Sequence, residues 1–208
     1  MKVKLFHTLT LCTILSTLFA SGQDFSSKKK YLAAIREERA EKDIEFATSD
    51  KSPIAPADRA AFSGLNYFKP NPSYKIIAKL EIYNNPDTIK MITTTDRRPF
   101  YLVFGEAQFK LKNTDYRLTI FRNIDLMVKP GYENYLFLPF TDLTSGAASY
   151  GGGRYVDLEL KNDGMVEIDF NRAYNPYCVY NKKYSCPIPP EGNFLNTAIK
   201  AGEKNFVH

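Results

Sequence analysis

"RYVDLELKNDGMVEIDFNR", residues 154–172, places Val156, Leu158 and Leu160, then Val166, Ile168 and Phe170, at every second position. A period of two puts these side chains on one face of extended backbone, so the stretch is predicted as two strands. Keeping that face intact across a hairpin sets Leu160 opposite Val166 through a loop Asn162-Asp163-Gly164, with Gly164 left-handed. A two-residue Asp-Gly turn would set Leu160 against Glu167 instead. On the other face, the same register sets Asp157 against Asp169 and Glu159 against Glu167. Like charges directly opposite cost up to about 1 kcal/mol. The acids are therefore either a solvated, salt-bridged outer face or part of a pocket. In the pocket reading Asp157 and Asp169 are a candidate catalytic pair that divides acid and base roles.

The pattern continues outward. From Tyr74 the chain runs in short segments rich in Ile, Val, Tyr, Phe and Thr, at 75–83, 88–95, 99–112, 115–122, 135–140, 154–160 and 165–171. Segments of this kind, separated by Asn, Asp, Gly and Pro, predict a mainly β domain over 74–208, an antiparallel sandwich or barrel of about seven strands. "KNTDYRL" reads as a second hairpin turn. Asn193 to Ala201 is expected to form a short element stopped by Gly202. Before the domain, 23–47 is expected to be an N-terminal surface helix with a thin apolar stripe of Leu32, Ile35, Ala40 and Ile44. Residues 48–73, broken by Pro53, Pro56, Pro70 and Pro72, read as a wrapping connection with one helical turn near Asp58, pinned by Phe62, Leu65, Tyr67 and Phe68.

Residues 1–22 read as a secretory signal peptide: Lys2 and Lys4 precede an apolar stretch from Leu5 to Ala20, and Ala20-Ser21-Gly22 offers a small-residue cleavage site. The expected product is exported, periplasmic or extracellular, with no stable membrane anchor after cleavage. Removing Lys2 and Lys4 leaves 26 basic residues against 23 acidic, a formal charge of +3. That excess is too small to argue for nucleic acid. The only histidines are His7 and His208, so the mature domain has no internal histidine for a Ser-His-Asp or Cys-His mechanism or for a histidine-ligated metal. No cofactor and no metal site are expected.

Three further features gather near 150–190. Gly151, Gly152 and Gly153 followed by Arg154 would let backbone amides and a guanidinium approach an anionic ligand, or would simply link two strands; no P-loop or dinucleotide fingerprint is present. Tyr150, Tyr155, Tyr174, Tyr177, Tyr180 and Tyr184 would line a small-molecule pocket or pack a proline-rich loop onto a sheet. Cys178 and Cys186 are expected to form a disulfide in an oxidising compartment, worth roughly 2.5 kcal/mol by loop closure. Their spacing is wider than the C-x-x-C of thiol oxidoreductases.

"KDIEFATSDKSPIAPADRAAFSGLNYF", "LFLPFTDLTSGAASYGGGRYVDLEL", "DFNRAYNPYCVYNKKYSCPIPP" and "NFLNTAIKAGEKNF" together resemble the bacterial family catalogued as domain of unknown function 1684, over nearly the whole mature chain. One departure is that the family pattern commonly reads P-P-x-E-N-x-L where this chain has Pro189-Pro190-Glu191-Gly192-Asn193. The resemblance implies no activity, but it marks Arg154, Asp157, Asp169, Asn171, Arg172, Tyr174 and Asn175 as the positions where a family function would reside. The expected function is binding of a small polar or anionic ligand by the glycine loop, Arg154, Asn171, Arg172, Tyr174 and Asn175. The alternatives are a carboxylate-pair hydrolase or lyase, and a structural or protein-interaction domain. Whether the protein is an enzyme stays open.

Overall fold

The computed structural model describes residues 12–161 and 163–207, with side chains from Ser26 onward. The expected leader lies outside the described residues as far as residue 11; from Cys12 the backbone is already helical. His208 and Asn162 are also outside them. No helix among the described residues is long and apolar enough to cross a membrane.

One helix, α1 (Cys12–Thr48), precedes the strands β1 (Lys75–Ile82), β2 (Thr88–Lys90), β3 (Phe100–Leu111), β4 (Thr114–Asn123), β5 (Tyr135–Asp142), β6 (Arg154–Glu159), β7 (Met165–Asp169) and β8 (Phe194–Leu195). A one-turn helix, α2 (Ile124–Met127), follows β4. The sheet runs β6-β5-β4-β3-β1-β7, antiparallel at every step of that path, with β2 added to β3 and β8 added to β5 in parallel. It curls until its ends, β6 and β7, face each other across a seam, which makes a nearly closed barrel. The expected mainly β fold with an N-terminal helix is therefore present, and every predicted strand segment overlaps an observed strand.

The β3–β4 hairpin follows directly from its sequence. Lys112 and Asn113 both take positive φ, at 50° and 64°, which is the two-residue turn whose twist matches antiparallel strands. In the β3–β4 ladder a register shift falls between Val103 and Gly105, and on its other edge Gly105 lies beside β1. A Cβ on Gly105 would lie 2.3 Å from the Glu81 carbonyl oxygen, so only glycine permits that approach. Inward side chains from six strands, among them Ala78, Ala107, Phe109, Ile120, Leu138, Val156 and Ile168, fill the barrel as one core.

The predicted hairpin of β6 with β7 is not formed. Val156, Leu158, Val166, Ile168 and Phe170 do face the core, with Leu160 against its edge. The partners, however, are different strands: Leu136 lies opposite Leu158 and Leu138 opposite Val156 on β5, while Ile76 lies opposite Ile168 and Ala78 opposite Val166 on β1. The loop peels the two strands apart, because Leu160 N–H donates to the Asn134 carbonyl and the Gly164 carbonyl accepts from Leu80 N–H. The predicted acid-on-acid ladder disappears with the hairpin. Asp157 lies opposite Phe137 and Asp169 opposite Lys75, and Glu167 pairs with Lys75 at 3.1 Å.

The docking face of the helix keeps Ile35 and the half-buried Leu32 of the expected stripe but leaves out its second half. Ile44 is 63% exposed and Ala40 is exposed, whereas Ile35 and Phe46 are buried. Tyr31, Arg39 and Lys42 complete the docking face. Arg39 donates to the carbonyls of Phe68 and Asn171 at 2.8 and 3.0 Å, and the Lys42 ammonium meets Glu203 at 2.8 Å. The connection carries a 3-10 turn at Arg59–Ala61 and enters a second at Pro72–Tyr74, buries Leu65 and Phe68, and packs Phe62 and Tyr67 beside Phe46. Asn193 ends a 3-10 turn, Glu191–Asn193, and residues 194–201 hold β8 and irregular chain, ending at Gly202 with φ +74°.

Candidate functional site

An open cleft bordered by predicted site residues lies outside the barrel. Outward side chains of β3, β4 and β5, with Tyr155 of β6, form a second apolar cluster of Met91, Tyr101, Phe121, Phe137 and Tyr155, flanked by Tyr135 and Tyr174. The segment from Tyr174 to Pro187 arches over it. Tyr174 exchanges backbone hydrogen bonds with Tyr155 at one end, and Cys186 and Ile188 bond to Thr94 and Ile92 at the other. Tyr155 hydroxyl donates to the Pro187 carbonyl. Between wall and arch lies a cleft of about 460 Å³, within the range of small-molecule sites.

Its aromatic lining is ordered by edge-to-face contacts. Phe137 and Tyr155 are 4.8 Å apart at 69°, Tyr155 and Tyr174 5.6 Å apart at 89°, and Tyr177 and Tyr184 5.3 Å apart at 68°. Asp157 and Lys42 are the charged residues of the lining. One carboxylate oxygen of Asp157, Oδ1, accepts from Tyr135 hydroxyl at 2.8 Å and from Tyr174 hydroxyl at 2.7 Å. Burial first, and then the Asp157 charge, push both phenols well above their ordinary range. They stay neutral donors, fixed in place by the acid.

The cysteines border the same arch. They are free thiols, so the expected disulfide is absent, although the loop does bring the pair together: Cys178 N–H donates to Cys186 Sγ at 3.2 Å. The hydrogen bond from Cys186, with help from Thr94 and Tyr150 against burial, pulls the Cys178 thiol down to about 6. The same contact, with burial, pushes Cys186 up.

Of the other predicted site residues, Tyr174 and Asp157 reach this cleft, and the rest serve elsewhere. Arg154 is 0% exposed; its guanidinium donates to Ile199 O at 2.9 Å, Glu203 O at 3.0 Å, Ala201 O, and Asp142 Oδ1 at 3.2 Å. It lies over the Phe140 ring, 5.3 Å from the centroid. Gly153, at φ +87°, has Phe140 O and Pro189 Cγ each 2.6 Å from where a Cβ would stand, so this glycine serves close packing. Gly151 and Gly152 carry the turn into it, Gly152 lying under the Tyr150 ring.

Asp169, Asn171 and Arg172 form the socket for α1. Asp169 accepts from Tyr31 hydroxyl at 2.9 Å, from Asn171 N–H and Nδ2, and from Arg172 Nη1 at 3.0 Å. Arg172 makes a two-point contact with Glu38 at 2.8 and 2.6 Å. That fork holds Glu38 below the usual carboxylate range. Asn175 donates its N–H to Glu203 Oε2 and its amide to Lys204 O. Asp157 and Asp169 do both border a shallow groove of about 160 Å³ along the seam.

Sequence reasoning missed Tyr101, Tyr135, Phe137 and Lys42. A signal for two of them was present: "YLFLPF", 135–140, is apolar at every position rather than at alternate ones, the mark of a strand covered on both faces.

A nearly closed antiparallel barrel with a tyrosine-lined cleft on its outer wall is the class of protein that this fold and site define. The chain belongs to the family described as Protein of unknown function (DUF1684), whose model matches residues 60–204. It is similar to an uncharacterized protein of Haloarcula marismortui known from a solution NMR structure, at 37% identity and a TM-score of 0.65, covering 86% of this chain and 96% of that one. No curated protein matches the chain.

Proposed function

We propose that the chain is an exported binding domain whose ligand, a small polar organic molecule, sits in the tyrosine cleft. The observation that carries this is Asp157, set into an aromatic wall with two phenols already oriented on it. A few convergent polar groups on an apolar surface are what a specific small-molecule site needs. Export is supported by Lys2, Lys4 and the apolar stretch that follows them. The anionic ligand considered from the sequence has less to hold it, since Arg154 and Arg172 spend their donors on the protein itself.

The test is a thermal-shift screen of sugars, carboxylates, phosphates and amines, followed by NMR of the tyrosine rings. A ligand of the cleft raises the melting temperature and moves Tyr135, Tyr174 and Tyr177. Hits that move only the Gly151–Gly153 amides would overturn the reading. A hydrolase or lyase using Asp157 and Asp169 is a second reading, favoured by the groove that both border. Its difficulty is that Asp169 already accepts four hydrogen-bond partners, and failure of the protein to turn over a panel of chromogenic glycosides would remove it.

A further inference from the structure

We infer that the ligand of the cleft is a small organic cation, an alkylated or quaternary ammonium; the inference rests on the cleft being the binding site. The first argument is charge. Asp157 is the acid of the lining, and the other charged group, Lys42, is already answered by Glu203 at 2.8 Å. The cleft therefore keeps an unanswered negative charge. The Tyr177 phenol registers it, pushed up first by burial and then by Glu45, Asp157 and Glu203 among its neighbours.

The second argument is the direction of the hydrogen bonds. Tyr135 and Tyr174 give their protons to Asp157, Tyr155 gives its proton to Pro187 O, and Ser185 donates to Thr93 Oγ1. These hydroxyls present lone pairs to a ligand, and Asp157 Oδ2 takes no hydrogen bond from the described residues. A cation would meet these acceptors and the carboxylate, while an anion would be left with the Tyr177 and Tyr184 hydroxyls and the already paired Lys42.

The third argument is the rings. A positive charge within about 6 Å of a tyrosine centroid is attracted to its face, and alkylated ammoniums use aromatic surroundings in this way. Lys42 Nζ shows the geometry within the protein itself, 5.0 Å from the Tyr174 centroid and 5.3 Å from that of Phe46.

Titration calorimetry of the full chain with choline, and with the uncharged isostere that carries carbon in place of nitrogen, tests the inference without any variant. Choline is expected to bind saturably and the isostere several-fold more weakly, since each cation–π or charge contact at an open, solvent-exposed site amounts to a factor of about two to five. Asp157→Asn, checked for folding by its melting temperature, should weaken choline by a similar factor and leave the isostere unchanged. Equal binding of the two probes, or choline binding indifferent to Asp157→Asn, overturns the inference. If choline fails while an uncharged or anionic molecule moves the Tyr135 and Tyr174 rings, the cation is refuted and the cleft stands. If no probe moves those rings, both fall together.

Discussion

At the scale of single residues, Arg154 shows how far a motif and its environment can diverge. Three glycines and an arginine in sequence suggest a loop open to an anion. Folded, Gly153 is held by the Phe140 carbonyl and Pro189, and the guanidinium ties β6 to Asp142 and to the carbonyls of 199–203. Both partners of the Arg154–Asp142 pair are 0% exposed. Removing one charge from such a pair leaves the other desolvated, at a cost of about 3–5 kcal/mol. Arg154→Ala should therefore lower the stability read by urea unfolding by about that amount while any ligand-induced shift at the tyrosines persists. An Arg154→Ala protein of unchanged stability that lost ligand binding would return the residue to the site. Nothing in the local sequence tells these outcomes apart, because most of the atoms that consume the guanidinium are carbonyls of residues more than forty positions later, and Asp142 lies across the preceding loop. Cys178 and Cys186 were easier, since their closeness follows from a short loop; whether they bond does not.

At the scale of elements, α1 was legible as a helix and illegible as a docked one. Its stability as a helix comes from good formers between Ser26 and Phe46. Its docking comes from the buried Ile35 and Phe46 together with polar side chains that meet buried acceptors, and apolar periodicity carries no record of the polar ones. The contacts are unequal. Arg172 and Glu38 are 42% and 44% exposed, and exposed pairs contribute about 0–1 kcal/mol. Lys42 meets Glu203, whose side chain is 1% exposed and also accepts from Tyr180 hydroxyl and Asn175 N–H. Glu38→Ala should cost less than about 1 kcal/mol, and Lys42→Ala about 2–3 kcal/mol, somewhat below the full cost of breaking a buried pair because Lys42 is partly solvated. Hydrogen exchange along 26–48 separates them: faster exchange in Lys42→Ala, little change in Glu38→Ala. The reverse order would place the anchor of the helix at Asp169 and Arg172.

At the scale of the whole molecule, alternation in 154–172 specifies which side chains point inward and is silent on which strand lies alongside. Face is a property of the strand itself, with period two. Partner is decided by closure of the barrel, to which every strand contributes. A five-residue connection favours a hairpin locally, but here β6 is taken by β5 and β7 by β1, and the barrel ends at the seam between them. That seam has a measurable signature. Leu160 N–H bonds toward β5, through the Asn134 carbonyl. By the parity of an antiparallel ladder, Val156 and Leu158 point their N–H groups the same way, and Asp157 and Glu159 point theirs toward the seam. Amides without a ladder partner exchange through small local openings, whereas paired core amides require larger ones. Native-state exchange should therefore find Asp157 and Glu159 markedly less protected than Val156 and Leu158. A ligand in the tyrosine cleft that contacts Asp157 should slow Asp157 more than Glu159. Uniform protection along β6 would mean that β6 and β7 do pair in solution, which would restore the hairpin and set Asp157 against Asp169 once more.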